Sequence, residues 1–309
     1  MSRRQVPPMV ASKARAAGEI GLKWLDNLDS IVAELEEKWH VTVGETLTGG
    51  FHAFVGLAEG EDGRKYVMKV EVPDTTEDEF MNGVRALTVA GGSGCGKLYA
   101  YDIDRRASLL ERLGGVLRTM DYTPDEQMEI ICGALVKIWQ TPVNGADLPD
   151  GAASIGWFRM FIEETWNALH QPCLRKVIDR AAEYLDSREK NLNPSEYVLL
   201  HGDAHNNNTL QTLDGQGFRL IDPDGIFYEK EYDLGVLMRE WPEEYRHDPV
   251  GEGRRRCAML SRLTGADEQG VWEWGFLQTV STSLILLQIG QEPLAREMLA
   301  VAERWSGKD

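Results

Sequence analysis

The chain has 309 residues, of which 33 are Lys or Arg and 50 are Asp or Glu, giving a formal net charge of -17. This excess of acidic side chains disfavours binding to nucleic acid and favours cationic ligands, although many cytoplasmic proteins are acidic for solubility alone. A chain of this length can bury a large core and is expected to form two lobes. Its four cysteines are scattered without paired spacing, as expected of reduced thiols in a cytoplasmic protein.

The N-terminal segment carries no recognisable secretion signal. Its two arginines are followed by Pro7 and Pro8 rather than by an apolar run. Farther along, residues 279–289 are apolar but too few and too polar to cross a bilayer, and a buried core helix is the better interpretation. We therefore expect a cytoplasmic monomer that contacts no membrane. Residues 1–24 are expected to form a mobile tail or an added helix.

The first elements predicted along the chain are short strands. Residues 41–58 have the pattern of a strand beginning at residues 41–43, a turn that contains Gly49 and Gly50, and a second strand. Residues 64–70 form a third predicted strand. The first third of the chain is therefore expected to be rich in strands.

A glycine-rich segment at residues 91–97 matches most of a Walker phosphate loop, with Gly91, Gly96 and Lys97 in register. The next residue is Leu98, which cannot supply the hydroxyl that this motif requires for magnesium. The order of elements is also reversed, because a predicted helix precedes the segment and a predicted strand follows it. We interpret it as a flexible connection between the first helix and the fourth strand.

Beyond residue 114 the pattern changes from strand-like to helical. Thr123 is a capping residue, and Pro124 follows it in the first turn of a predicted helix. Further segments with helical spacing of apolar residues lie at 155–170, 174–185, 234–241, 254–263, 271–289 and 294–305. A strand-rich beginning followed by a helical remainder is typical of an α+β protein.

The most informative segment contains the sequences HGDAHNNN and IDPDG. Two predicted strands, at residues 197–200 and 218–221, have a turn at residues 214–217 between them. Asp203 and Asp222 lie just past the strand ends, in loops that a rigid support can hold in place.

Asp203, Asn208 and Asp222 together have the residue types and spacing of a phosphoryl-transfer site. Such an enzyme positions the acceptor and neutralises charge on the phosphates. Asp203 would accept a hydrogen bond from the acceptor hydroxyl, while Asn208 and Asp222 would supply the oxygen ligands that Mg²⁺ prefers. Each residue alone is also typical of a turn or a cap, so the prediction rests on the set.

A zinc site is the competing interpretation, because His201 and His205 have the spacing of a metalloprotease helix. That helix needs Glu after the first His, and this chain has Gly202 there. Glycine and the asparagines that follow are also poor helix formers. His201 is therefore expected to be structural, and His205 to belong to the scaffold of the loop.

These motifs carry a resemblance to a known family. The pattern His-Gly-Asp-x-His-x-x-Asn, then Ile-Asp-Pro-x-Gly and Tyr-Asp-Leu-Gly at residues 232–235, is similar to that of the aminoglycoside phosphotransferase family. Within it, the chain is most similar to the branch of streptomycin 6-kinases and hydroxyurea phosphotransferases. The resemblance spans roughly residues 24–305.

The resemblance implies a two-lobed, protein-kinase-like α+β fold. A small antiparallel sheet with one helix is expected in an N-terminal lobe over residues 25–113, and the hinge near residues 109–115. The larger, mostly helical C-terminal lobe is expected to occupy residues 114–309 and to carry the catalytic loop and the acceptor site.

The resemblance also implies transfer from ATP or GTP with Mg²⁺ as cofactor. Asp203 takes the role of the catalytic base, and Asn208 and Asp222 take the magnesium roles. Asp233 matches an aspartate that braces the catalytic loop. Two residues depart from the family pattern, Ala204 and Asp224, and the second adds negative charge beside the expected metal site.

The nucleotide is expected to contact the N-terminal lobe. Lys69 is flanked by apolar residues, unlike Lys65, and stands where a kinase-like fold places the lysine that contacts the phosphates. Its acidic partner is expected on the following helix, with Glu79 the first choice and Glu77 the second, although acids also suit a helix N-terminus. Further nucleotide contacts are assigned to Gly49, Gly50, Glu111 and Leu113.

The acceptor is expected to be a cationic small molecule, because the acidic charge suits an aminoglycoside better than neutral hydroxyurea. Streptomycin, phosphorylated at its 6-hydroxyl with resistance as the result, is the leading candidate. The alternatives are another antibiotic, hydroxyurea, a metabolite such as choline or homoserine, or a catalytically silent nucleotide-binding protein. Acceptor contacts are assigned to Asp224, Glu229, Glu231, Glu273 and Trp274, although a tryptophan at helical spacing also suits a core.

Overall fold

The chain folds into a strand-rich N-terminal lobe and a larger helical C-terminal lobe. A computed structural model describes residues 5–48, 50, 52–74, 77–143 and 145–307, the side chains of residues 77 and 78 excepted. The predicted two-lobed α+β fold is confirmed.

The N-terminal lobe is built on an antiparallel sheet with strand order β1-β2-β3-β5-β4. Two helices precede the sheet, and a third connects β3 with β4. The strands are β1 (Val41–Thr46), β2 (Ala53–Gly60), β3 (Lys65–Glu71), β4 (Leu98–Asp102) and β5 (Ala107–Glu111), and the helices are α1 (Pro8–Ala16), α2 (Glu19–Trp39) and α3 (Glu77–Ala90).

The two faces of this sheet have different environments. On β3, Met68 and Val70 are fully buried in a core shared with α1 and α2. Side chains alternate along a strand, so Lys69 lies on the opposite face, with Val55 of β2 and Ser108 of β5 as its neighbours in register. The two N-terminal helices thus cover one face and leave Lys69 on the other.

Residues 1–24 were expected to be a mobile tail or an added helix, and the described part of this segment, residues 5–24, contains α1 and the beginning of α2. Val10 and Ala14 of α1 are fully buried. Helix α2 buries Trp24 and Leu28 on the same sheet and runs across the expected boundary at residue 24. The core of the N-terminal lobe therefore extends into this segment.

The C-terminal lobe packs seven helices around two small two-stranded sheets within the described residues. No helix in this part or in the rest of the described chain is long and apolar enough to cross a membrane. The helices are α4 (Pro124–Trp139), α5 (Ala153–Ala168), α6 (Arg175–Asn191), α7 (Glu231–Arg239), α8 (Pro249–Thr264), α9 (Glu268–Gln288) and α10 (Glu292–Trp305), and the strands are β6 (Val198–Leu200), β7 (Thr209–Gln211), β8 (Phe218–Leu220) and β9 (Ile226–Tyr228).

The pairing of these four strands corrects one prediction. Strand β6 pairs with β9, and β7 pairs with β8. The turn at residues 214–217 therefore connects β7 to β8, and does not join the two strands between which it was predicted. All four of these strands have three residues each, so a periodic pattern cannot show which of them pair.

The glycine-rich segment 91–97 connects α3 with β4, as predicted, but the expectation that it is flexible was wrong. Leu220 exchanges two backbone hydrogen bonds of 2.8 Å with it, donating to Gly94 and accepting from Gly96. The Arg219 side chain donates to two further carbonyl groups of the segment. These partners lie more than a hundred positions along the chain, so local sequence could not reveal them.

Candidate active site

A buried carboxylate holds the loop that follows β6. Asp233 of α7 is fully buried and accepts hydrogen bonds from Trp139 Nε1 at 2.9 Å, His201 N at 3.1 Å and Gly202 N at 2.7 Å. Burial raises the pKa of Asp233, and these donors act in the opposite direction. The geometry is that of a residue that braces the loop against α4 and α7.

His201 joins this loop to the one that follows β8. Its Nε2 donates to the carbonyl of Ile221 at 2.9 Å, and its Nδ1 accepts from Asp203 N at 3.2 Å. Burial lowers the pKa of His201, which favours the neutral ring that these two bonds require. Both ring nitrogens therefore form hydrogen bonds within the protein, which leaves neither of them a lone pair for a zinc ion.

The carboxylate of Asp203 is surrounded by donors. Arg239 Nη2 lies 2.6 Å from Oδ1, and His205 Nε2 lies 3.2 Å from Oδ2. His205 Nδ1 accepts from Asn207 N, so Nε2 carries the proton and donates. Desolvation raises the pKa of Asp203, but the His205 hydrogen bond and the Arg239 charge outweigh it and hold the pKa well below its usual range. An ionised Asp203 can accept a hydrogen bond from a hydroxyl.

Arg239 is a site residue that the sequence interpretation missed. It lies at the C-terminal end of α7 with a side chain only 16% exposed, and its Nη1 donates to Gln278 and Thr282 at 2.9 Å each. The available signal was a cation in an otherwise apolar helical segment, because a buried charge requires an acidic partner. The sequence pattern did not identify Asp203 as that acidic partner.

Lys69 and Asp222 meet across the two lobes. Lys69 Nζ lies 2.9 Å from Asp222 Oδ1 and 3.1 Å from Glu71 Oε1. Burial lowers the pKa of Lys69, but the two carboxylates outweigh it and raise the pKa above its usual value. Desolvation likewise raises the pKa of Asp222, and the Lys69 charge turns the net shift downwards. Both groups are therefore charged at neutral pH.

Asn208 and Asp222 fit a magnesium site by the chemistry of their donor atoms. Asn208 Nδ2 donates to the carbonyl of Asp203 at 3.0 Å, which leaves its amide oxygen for a cation. The side chain of Asp222 is 46% exposed, with Lys69 on Oδ1. Within the described residues, no group of three or more His, Cys, Asp or Glu is arranged to hold a metal ion. Mg²⁺ commonly takes only one or two protein ligands and completes its shell with phosphate and water, so this sparse set suits it.

Asp224 lies next to the loop that carries Asp203. Its carboxylate packs over Gly202, where an added Cβ would come within 2.6 Å of Asp224 Oδ2. Desolvation, together with the negative charges of Asp203 and Asp233, raises the pKa of Asp224 to about 7. This departure from the family pattern therefore adds a second carboxylate beside Asp203.

The residues assigned to the nucleotide near β2 and α3 are only partly described. Gly50 lies in the turn before β2, and Gly49 lies outside the described residues. Glu79 is in the first turn of α3, and the side chain of Glu77 lies outside the description. Glu71, in β3 itself, is an acidic partner of Lys69 that the sequence interpretation did not name.

The hinge residues lie where β5 meets the C-terminal lobe. Glu111 Oε2 accepts from Lys97 N at 3.0 Å and pairs with Arg219 at 3.3 Å. Leu113 is buried, and Gly114 N donates to Gln211 of β7 at 2.7 Å. The side chain of Glu111 is therefore bonded within the protein.

Four of the residues assigned to the acceptor do not reach the cleft surface. Trp274 is fully buried, and Glu231 and Glu273 are 8% and 3% exposed. Glu273 pairs with Arg188 at 2.6 Å, and Glu229 pairs with the same arginine at 3.6 Å. These acids form a buried ion-pair network between α6, α9 and the end of β9, and the assignment of the four to acceptor binding is therefore withdrawn. The spacing of these residues in the sequence is compatible with both a buried ion-pair network and a ligand site.

An ionised aspartate, an interlobe lysine–aspartate pair and side-chain oxygens suited to Mg²⁺, on a two-lobed fold, are the features of a protein-kinase-like phosphotransferase. The profile of the aminoglycoside/hydroxyurea antibiotic resistance kinases matches residues 38–290. The chain belongs to this family, as its motifs predicted.

Curated relatives share the chain over nearly its whole length. A streptomycin 6-kinase from Streptomyces glaucescens is 26% identical over 308 residues, covering 97% of this chain and 96% of that protein. A hydroxyurea phosphotransferase from Kitasatospora aureofaciens is 24% identical over 307 residues, covering 97% of this chain and 85% of that protein.

Solved structures confirm the kinase-like fold. A choline kinase from Streptococcus pneumoniae has a TM-score of 0.62 at 15% identity, covering 91% of this chain and 99% of that one. The GDP complex of aminoglycoside 2′-phosphotransferase-IIIa has a TM-score of 0.61 at 14% identity, covering 91% of this chain and 97% of that one. At such identities the likeness concerns the fold alone.

Proposed function

We propose that the protein transfers the γ-phosphoryl group of ATP or GTP to a hydroxyl of a cationic aminoglycoside, with the 6-hydroxyl of streptomycin as the first candidate. The observation that carries this proposal is the pairing of Lys69 with Asp222, 153 positions apart in the chain and 2.9 Å apart in space. Hydrogen bonds connect the loop after β6, which contains Asp203 and Asn208, to the loop after β8, which contains Asp222. Family membership and the streptomycin 6-kinase relatives support the choice of acceptor.

Each residue has a definite task in this reaction. Lys69 binds the nucleotide phosphates, and Asp203 orients the acceptor hydroxyl and takes its proton at a carboxylate oxygen. Asn208 and Asp222 would hold Mg²⁺, which neutralises charge on the phosphates when it is bound. Arg239 and His205 keep the Asp203 carboxylate ionised and oriented.

The acceptor side of the site is acidic. Asp224 is solvent-exposed and lies beside Asp203, so a cationic acceptor meets a carboxylate next to the base. An ammonium or guanidinium group there offsets the repulsion between the two carboxylates. Neutral hydroxyurea gains nothing from this arrangement, which favours the aminoglycoside.

An acceptor panel tests the proposal directly. Purified protein with Mg²⁺ and either ATP or GTP is offered streptomycin, other aminoglycosides, hydroxyurea, choline and homoserine, and products are detected by mass spectrometry. We expect one added phosphate on streptomycin, and no product with Asp203→Ala. The matched control is Asp179→Ala, which removes an exposed carboxylate that pairs with Arg175 on the same helix and should leave turnover unchanged.

The outcomes separate the alternatives. Turnover of another acceptor alone would keep the kinase assignment and overturn the streptomycin assignment. Failure to phosphorylate any acceptor, together with unchanged thermal stability in ATP, would overturn both.

A further inference from the structure

Helix α1 contacts a polar cluster beside the start of β2 and the end of β3. Lys13 Nζ lies 2.8 Å from Asp74 Oδ2 and also contacts Nδ1 of His52. The carbonyl of His52, the residue before β2, accepts from Val72 N at 2.9 Å. One ammonium group therefore bridges the start of β2 and the chain that leaves β3.

The helix that carries Lys13 is firmly placed. Val10 and Ala14 are fully buried on either side of it in sequence. Helix α2 packs closely enough that a Cβ on Gly21 would come within 1.8 Å of the carbonyl oxygen of Ala14. The side chains of Lys13 and Asp74 are only 24% and 22% exposed, so the pair is partly shielded from solvent.

The bridged segments border the phosphate end of the site. Ala53, which follows His52, is the register partner of Glu71, and Glu71 pairs with Lys69. A shift of β2 against β3 at this end would therefore displace Glu71 and Lys69. Because Lys13 contacts both His52 and Asp74 at the same end of the two strands, it can resist such a shift.

We propose that Lys13 is a positioning residue for nucleotide binding, holding the start of β2 and the end of β3 in the register that aims Lys69 at the phosphates. This inference rests on the proposed use of a nucleotide, but not on the identity of the acceptor. Helix α1 precedes residue 38, where the family match begins.

Calorimetric titration with ATP and Mg²⁺ tests this proposal on the full chain. We expect Lys13→Met to weaken ATP binding about fivefold, the ratio that ~1 kcal/mol gives, while the KM for the acceptor stays unchanged. Lys13→Arg should restore binding because it keeps the ion pair. Lys23→Met removes the same charge from an exposed pair with Glu19 and should have no effect.

A second variant separates positioning from simple attraction of phosphate by positive charge. Asp74→Asn makes the lobe more positive but breaks the bridge, so positioning predicts weaker ATP binding and attraction predicts tighter binding. Tighter binding by Asp74→Asn, or unchanged binding by Lys13→Met, would overturn the inference. If the unmodified protein binds no ATP, the proposed function fails first, which is a distinguishable result.

Discussion

The contact between Arg239 and Asp203 supports a prediction that can be worked through from the structure. Arg239→Met keeps the apolar stem of the side chain and removes the guanidinium that lies 2.6 Å from Asp203 Oδ1. It also removes the donors to Gln278 and Thr282. His205 and Asn208 remain beside the Asp203 carboxylate, so the carboxylate does not lose every donor.

The size of the effect follows from burial. Breaking a fully buried ion pair costs about 3–5 kcal/mol, and an exposed pair contributes about 0.2–1 kcal/mol. Arg239 is 16% exposed and Asp203 is 38% exposed, so the pair lies between these limits. We expect Arg239→Met to lower the free energy of unfolding by roughly 2 kcal/mol, with a coupling energy to Asp203→Ala of roughly 1.5 kcal/mol.

A double-mutant cycle by urea denaturation measures that coupling. The stability of Arg239→Lys should fall between those of the unmodified protein and of Arg239→Met, because an ammonium keeps the charge but cannot bind Asp203, Gln278 and Thr282 at once. In the acceptor assay, Arg239→Met should lower kcat more than it raises the KM for ATP, since the base is misplaced while Lys69 is intact. A coupling energy below about 0.3 kcal/mol, or an unchanged kcat, would refute the assigned position of Arg239.

Three further predictions concern the scaffold. Asp233→Asn places an NH₂ group against buried N–H donors and should cost about 2–4 kcal/mol of stability in urea denaturation, while a cost under about 1 kcal/mol would contradict the bracing geometry. Gly94→Ala should destabilise by more than about 2 kcal/mol, because its Cβ would lie 2.2 Å from a carbonyl of α4; Gly63→Ala, also at positive φ but with open space around it, should cost only about 1 kcal/mol. Arg255 lowers the pKa of Asp125 below 3.8, so their pair stabilises above that pH and is lost as the pH falls through the lower folded-state value. Arg255→Gln should therefore cost less than about 1 kcal/mol near neutral pH, with the difference shrinking below about pH 3.

Sequence patterns predicted those elements whose signals are local. The helix beginning at Pro124 has its Thr123 cap and a capping box with Glu126, because a cap is made by residues within one turn. The order of α3, the glycine-rich segment and β4 also follows from neighbouring residues. By contrast, residues 209–211 and 226–228 were missed as strands although β6 and β8 are equally short, and the pairing of β6 with β9 joins segments that another pair of strands separates in the chain.

The placement of acidic residues shows the limit of pattern reading. Glu231, Glu273 and Asp224 look alike in the sequence as acids near the catalytic motifs. In the structure Glu231 and Glu273 are buried: Glu231 accepts a hydrogen bond from Asp267 N, and Glu273 forms an ion pair with Arg188. Asp224, by contrast, is exposed beside Asp203. Burial is a property of the whole packed lobe, so no local pattern could assign it.

The sequence by itself predicted the family, the two-lobed fold and the set of Asp203, Asn208 and Asp222, because residue types and spacing within two loops carry these signals. Glu71 was within reach of the same reasoning, since it lies two residues from Lys69 on the same face of β3. Only the tertiary structure decided the more distant neighbours: Arg239 beside Asp203, and the helix that brings Lys13 to Asp74. These two contacts join residues far apart in the chain, so they form only when the chain has packed.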